Sequence, residues 1–235
     1  MHVQATMNVA PRLDYAALAV CRGLGREAVS HVAAMSSVRR LAPGEALFNE
    51  GDRTESIYEV LSGMLRIYKL LPDGRRQITG FLSAGHLVGL AHRNHCLYTV
   101  DAVTPVTLCR YPLAHFDRLV DQVPGFARRL LAVTSDELRA AQDQMLLLGR
   151  KTAEEKIASF LLMMAKRQKS DETVQLSMTR SDIADYLGLT TETVSRTLTK
   201  LKSHGTIALP AYGRVELTDR EQLEELAAGE LAAAA

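Results

Sequence analysis

Cysteine is scarce in this chain: three in 235 residues, Cys21, Cys96 and Cys109, an odd number scattered along its length. That excludes a disulfide framework and suits a reducing compartment, so a cytoplasmic protein is expected. No apolar run approaches the roughly 20 residues of a membrane-crossing helix, and the N-terminus has no basic stretch leading into an apolar one with a cleavage site. Neither membrane insertion nor export is expected. An excess of one charge is missing too, with 28 Lys and Arg against 27 Asp and Glu, so attraction to a polyanion must come from a local patch. The sequence has no triad spacing, phosphate-binding loop or paired-carboxylate motif, so an enzyme with catalytic residues is not expected.

The length allows two modest domains. Between Val38 and Leu113, short runs of Val, Ile, Leu, Tyr and Phe are punctuated by glycines, and Pro72-Asp73-Gly74 is a strong turn signal. This predicts an antiparallel β unit, in which Ile57 to Tyr68 alternates around Gly63 as two half-buried strands. After Pro124 the pattern turns helical. Leu131, Leu138 and Met145 recur every seven residues, with Thr134, Ala141 and Leu148 three residues after each. One amphipathic helix packed on its own domain is the commoner use of such a stripe. The small residues of the second series let two such helices approach closely and favour a homodimer seam instead. Gly149 offers a hinge before a second helix over Thr152 to Arg167.

From Thr179 the chain reads TRSDIADYLGLTTETVSRTLTKLKSHG, a helix-turn-helix. Thr179 and Asp182 form a capping box for the first helix. Ala184 is small where two helices cross, Gly188 supplies the positive φ of the turn, and Thr190 caps the second helix. Val194, Leu198 and Leu201 face inward, leaving Glu192, Ser195, Arg196 and Thr199 on the outer face with Thr191 at its start. Arg pairs with guanine O6 and N7, Glu accepts from cytosine N4, and Ser or Thr meets thymine. Glu192, Ser195, Arg196 and Thr191 are therefore the expected base-reading residues, and Arg180, Lys200, Lys202, Thr199 and Arg214 the expected phosphate contacts. Ile207–Leu209 and Arg214–Leu217, joined through Ala211-Tyr212-Gly213, read as a wing. An ordinary helical pair with a solvated charged face is the alternative, and the joint fit of cap, alanine, glycine and wing disfavours it.

With PGEALFNEGDRTESIYEVLSGMLRIYK and Glu192-Thr-Val-Ser195-Arg196 in this order, the chain from about Ala33 to about Leu223 resembles the catabolite activator and FNR (CRP/FNR) family. MLLLGRKTAEEKIASFLL and DYLGLTTETVSRTL resemble its FixK-like branch. The resemblance implies an α+β chain with an N-terminal cyclic-nucleotide-binding-type antiparallel β-roll, a long dimerisation helix and a C-terminal winged helix-turn-helix. The corresponding spans are a helical lead-in over 1–32, the roll over 33–123, the helix over 124–150, the DNA-binding domain over 151–226 and a frayed tail over 227–235. It further implies promoter DNA and RNA polymerase as partners, half-sites resembling TTGA, and a role in oxygen limitation, nitrogen oxide metabolism or respiratory control.

The chain departs from the family where cyclic AMP is held. The Gly-Glu-Leu turn reads Gly85-His86-Leu87, and the Arg-Ser/Thr-Ala element aligns with Cys96-Leu97-Tyr98, while Arg93 is displaced. His86, Cys96, Leu97 and Tyr98 thus mark a degenerate effector pocket. An unpaired buried phosphate is costly, so no useful cyclic AMP binding is expected. A family-type iron–sulfur cluster needs several N-terminal thiolates, and only Cys21 lies there. No metal site and no cofactor are expected. The alternative is a haem- or redox-sensing regulator, with His86 and His92–Cys96 as ligand candidates; an exposed polar loop is the plainer use of that tract. A cyclic-nucleotide module of another system is a third reading, disfavoured by the missing phosphate arginine.

Overall fold

The alternating stretch forms two antiparallel sheets in the computed structural model, which describes residues 14–90 and 94–229. The strands are β1 (Ser37–Leu41), β2 (Ala46–Phe48), β3 (Ser56–Ser62), β4 (Leu65–Leu70), β5 (Arg76–Leu82), β6 (Leu87–Val88), β7 (Thr99–Ala102) and β8 (Val106–Pro112). One sheet has the order β1-β8-β3-β6 and the other β2-β7-β4-β5. Their facing side chains, among them Leu41, Val60, Leu65, Val88, Val100 and Leu108, form a shared apolar core. The expected turn at Pro72–Gly74 joins β4 to β5, with the Leu71 amide donating to the Arg75 carbonyl at 2.8 Å. Gly63 has a different task. The chain there leaves one sheet for the other at φ 84°, and a Cβ would stand 2.1 Å from the Pro105 carbonyl oxygen.

β3 corrects one expectation. It is buried continuously from Ser56 to Val60 rather than on one face. The reason lies on its outer side, where Leu18 and Val20, helices α1 (Arg26–Ala34), α2 (Leu113–Gln122) and α3 (Phe126–Arg150) close a second cluster around Ile57 and Tyr111. Phe116 stands edge-on to both Tyr111 and Phe126, at centroid distances of 6.0 and 5.4 Å. This burial includes Glu59, which accepts from the Ala19 amide and, at 3.3 Å, from the Tyr111 hydroxyl; burial pushes its carboxyl above the ordinary range despite those bonds.

The 25 residues of α3 make a rod about 37 Å long. It runs through Gly149, so the break before the next helix falls at Lys151 and Thr152, not at the glycine. Thr152 and Glu155 make a capping box that starts α4 (Ala153–Gln168). There follow β9 (Thr173–Gln175), α5 (Arg180–Leu187), α6 (Thr191–Ser203), β10 (Ile207–Ala211), β11 (Arg214–Leu217) and α7 (Arg220–Ala228). α7 takes up the first two residues of the expected tail: Ala227 packs on the domain core beside Leu226, and its carbonyl accepts from Lys151 Nζ at 2.7 Å. Residues 1–13, the first part of the expected lead-in, and 230–235 lie outside the described residues.

The two domains share a core. Ile78 and Phe81 of β5 belong to the same apolar cluster as Phe160 of α4 and Ile183 and Tyr186 of α5. Phe81 lies 5.3 Å from the Tyr186 ring and 6.4 Å from the Phe160 ring.

Candidate nucleic-acid interface

α5 begins where Thr179 Oγ1 accepts from the Asp182 amide at 3.1 Å while the Asp182 carboxylate accepts from the Thr179 amide, also at 3.1 Å. It ends at Gly188, which has φ 62° and takes the left-handed conformation the turn needs. Thr190 then accepts from the Thr193 amide at 3.1 Å and starts α6. Val194, Leu198 and Leu201 are buried, together with Thr197. This inner face anchors α6 against α4 and α5, so its opposite face is presented outward.

That outward face carries Thr191, Glu192, Ser195, Arg196 and Thr199, all exposed. Ser195 Oγ donates to the Thr191 carbonyl and Thr199 Oγ1 to the Ser195 carbonyl, each at 2.9 Å, so both hydroxyls keep free lone pairs for a base or phosphate donor. Glu192 and Arg196 stand 3.9 Å apart at 84 and 74% side-chain exposure, a pair that water screens and DNA can separate.

The expected phosphate contacts fall into different settings. Lys202 is exposed at the end of α6. Lys200 is tied to Glu154 across to α4, and Arg214 stands 3.4 Å from Glu216 within β11. Arg180, first residue of α5, is half-buried beside the wing; its Nη1 is buried without a hydrogen-bond partner, and burial holds its pKa below the ordinary value. A guanidinium in that position is suited to a ligand that brings its own charge. The wing is a three-stranded sheet of order β10-β11-β9, with Tyr212 at its tip 85% exposed.

The helix seam divides similarly. Leu131, Leu138 and Met145 are 68, 59 and 66% exposed on one line of α3, and Thr134 and Ala141 are exposed beside them. Leu148 is half-buried and turned to the helix-turn-helix, with its Cδ2 3.5 Å from where a Cβ on Gly188 would stand.

Of the four residues of the degenerate effector pocket, Cys96, Leu97 and Tyr98 are neighbours in the chain, and His86 has a different setting. His86 borders a cavity between α3 and α4, whereas Cys96 borders a shallow pocket with Arg53 and Thr54. Leu97 is 51% exposed, and the Tyr98 ring lies tilted against Phe48 at a centroid distance of 6.1 Å. The ring nitrogens Nδ1 of His86 and His95 meet the carbonyls of Ser83 and Gly51, at 2.9 and 3.1 Å. Among the described residues no three His, Cys, Asp or Glu side chains converge on one point; His92 and Arg93 lie outside them. Cys21, Cys96 and Cys109 are buried, which pushes every thiol up, Cys21 to about 12, and disfavours the reactive thiolate.

One set of contacts had no counterpart in the sequence reading. Arg66 of β4 and Arg76 of β5 both reach Asp182 Oδ1 on α5, Arg66 through Nη1 at 2.7 Å and Arg76 through Nη2 at 2.6 Å. Arg76 also meets Asp185, with Nε at 2.8 Å and Nη2 at 2.7 Å, while Arg66 is braced from behind by Asp101 at 2.7 and 2.9 Å. Gln77 donates to the Asp185 carbonyl at 2.8 Å, and Arg167 of α4 donates to the Phe81 carbonyl at 2.6 Å. Burial alone would raise the Asp182 carboxyl, but the Thr179 hydrogen bonds and the two guanidiniums outweigh it and hold it below the usual carboxylate range. The β4–β5 hairpin thus clamps the first helix of the DNA-reading pair.

A capped, outward-facing helix on a winged domain, clamped to a two-sheet roll, defines a two-domain DNA-binding regulator. Residues 38–123 match the model of the cyclic nucleotide-binding domain and residues 155–226 that of the Crp-like helix-turn-helix domain. The chain belongs to the CRP/FNR family of transcription regulators, in its FixK-like branch. It is 44% identical over 214 residues to the nitrogen fixation regulation protein FixK of Bradyrhizobium diazoefficiens, covering 89% of this chain and 90% of the relative. Its identity to the transcriptional activatory protein AadR of Rhodopseudomonas palustris is 42% over 215 residues, 90% of each. The solved structure of FixK2 from Bradyrhizobium japonicum superposes with a TM-score of 0.77 at 37% identity, over 81% of this chain and 96% of that one. Among the described residues no helix is long and apolar enough to cross a membrane.

Proposed function

We propose that this chain is a cytoplasmic transcription activator that binds a TTGA-type promoter palindrome as a homodimer and engages RNA polymerase there. The observation that carries the reading is the α6 face, with Glu192, Ser195 and Arg196 exposed in a row on a helix whose inner side is locked into the core. The Leu131, Leu138 and Met145 line supports a two-fold pair of such helices, whose half-sites stand about 34 to 36 Å apart along the duplex. The names of the relatives FixK and AadR, a nitrogen fixation regulator and a transcriptional activator, support regulation by activation; the role in oxygen limitation or nitrogen-oxide and respiratory control rests on the resemblance to the FixK-like branch. The lack of an arginine in Cys96-Leu97-Tyr98, where the family pairs the cyclic phosphate, supports action without cyclic AMP.

The test is a mobility-shift titration on a TTGA-N6-TCAA duplex and a scrambled duplex at matched salt. Tighter binding to the palindrome is expected. Arg196→Ala removes a bidentate guanine contact worth about 1 to 3 kcal/mol of discrimination and relaxes sequence preference, whereas Lys202→Ala weakens both duplexes alike and lowers the salt slope by about one. Equal affinity of the unaltered chain for the two duplexes would reject the half-site.

A further inference from the structure

Where the roll, α3, α4 and α5 meet, the structure encloses a cavity of about 670 Å³, within the roughly 300 to 1,000 Å³ usual for small-molecule sites. Its walls are mostly apolar. Leu147, Phe160 and Tyr186 are buried around it, Met163 is half-buried, and Leu146 stands 65% exposed at its rim. Leu146 is not part of the heptad line, so a dimer formed through that line does not account for it. Successive α-helical residues advance by about 100°, which puts the cavity-lining Ala140, Asp143 and Leu147 on the side of α3 away from Leu138, Ala141 and Met145. Pairing of two α3 helices therefore leaves the cavity open.

The charge at the cavity has one sign in excess. Lys151, Lys166 and Arg167 border it against a single carboxylate, Asp143. Lys151 is engaged with Ser159 Oγ and the Ala227 carbonyl, both at 2.7 Å, and Arg167 holds Phe81 through Nη1, while Lys166 is the exposed cation at the mouth. Apolar and aromatic walls below a cationic rim favour one chemistry: a ring-bearing apolar body that carries a carboxylate or sulfonate.

We infer that this cavity is a binding site for a small aromatic anion, separate from the roll interior where cyclic nucleotides sit in the family. Such a ligand touches the seam helix, the first helix of the DNA-binding domain and, at His86, the roll, so its occupancy bears on how the three are set.

The probe is 8-anilinonaphthalene-1-sulfonate, an aromatic sulfonate whose fluorescence rises on leaving water, titrated into the full chain. One molecule per protomer is expected. Leu146→Glu and Lys166→Glu each put a carboxylate at the mouth and should weaken binding at least tenfold, with circular dichroism and dimer mass unchanged because both residues are solvent-exposed. Leu70→Glu, at an equally exposed leucine on β4 (62%), should bind as the unaltered chain does. Loss in the first two variants with retention in the third supports the site. No binding, several molecules per protomer, or the same affinity in all three variants overturns it.

Discussion

Removing Arg76 is the sharpest perturbation of the clamp between the domains. Its guanidinium makes three contacts to two carboxylates, at 2.6, 2.7 and 2.8 Å, and its side chain is 22% exposed. Hydrogen bonds to charged groups contribute about 1.5 to 3 kcal/mol each, but those figures do not add here. Asp182 keeps Arg66 and Thr179 after the truncation, and Asp185, 26% exposed, can recover water. A net loss of about 2 to 3 kcal/mol is expected for Arg76→Ala. For a chain of this size each kcal/mol lowers the unfolding midpoint by about 2 to 4 °C, so differential scanning calorimetry should register a fall of about 5 to 10 °C. Because Phe81, Phe160 and Tyr186 also bridge the domains, the variant should weaken the clamp without unfolding either side. A double-mutant cycle with Asp185→Ala isolates the pair, and a coupling of about 1 kcal/mol is expected. If Arg76→Ala lies within 1 °C or so of the unaltered chain, or if the two substitutions add with no coupling, the clamp carries no energy and the reasoning fails.

Two further outcomes concern the α3 seam and the carboxylate at the centre of the clamp. Leu138→Lys sets a charge in the middle of the exposed line on α3; burying one leucine contributes about 1.5 to 3 kcal/mol, and each dimer has two, so sedimentation velocity should show dissociation at concentrations where the unaltered chain stays paired. Identical sedimentation would remove the seam. In acid, Asp182 has a folded-state pKa below its unfolded value of about 3.9, so its contribution is complete above that value and is lost as pH falls through the lower one. Thermal midpoints of Asp182→Asn should therefore fall less steeply below about pH 4 than those of the unaltered chain, and parallel curves would contradict the assignment.

The helix-turn-helix was legible in the sequence because its determinants are local. Thr179, Asp182, Gly188 and Thr190 act within three or four residues of themselves, and an inward face at i, i+4 and i+7 needs no distant partner to be recognised. β9 was not legible: three residues have no periodicity, and Thr173–Gln175 becomes a strand only because β11 pairs with it. The burial of β3 was hidden for a related reason. Alternation reports one covered face, and the second cover comes from α1 to α3 and the segment around Leu18. The clamp was the least visible of all, since Arg66 and Arg76 lie more than one hundred residues from Asp182 and read as ordinary strand charges. At the α3 seam the heptad spacing was plain, but the turning of Leu148 toward Gly188 depends on where the next domain docks.

Asp182 closes the capping box of α5 and receives both arginines of the hairpin through one oxygen. For anyone building hybrid regulators this ties two pieces of chain that look interchangeable. A DNA-reading module transplanted at Lys151 onto a roll without counterparts of Arg66 and Arg76 would bring a carboxylate that is 2% exposed and find no guanidinium waiting for it. The graft that respects the architecture moves Arg66, Arg76, Asp182 and Asp185 as one unit, so the practical boundary between the modules runs through these side chains rather than along the backbone.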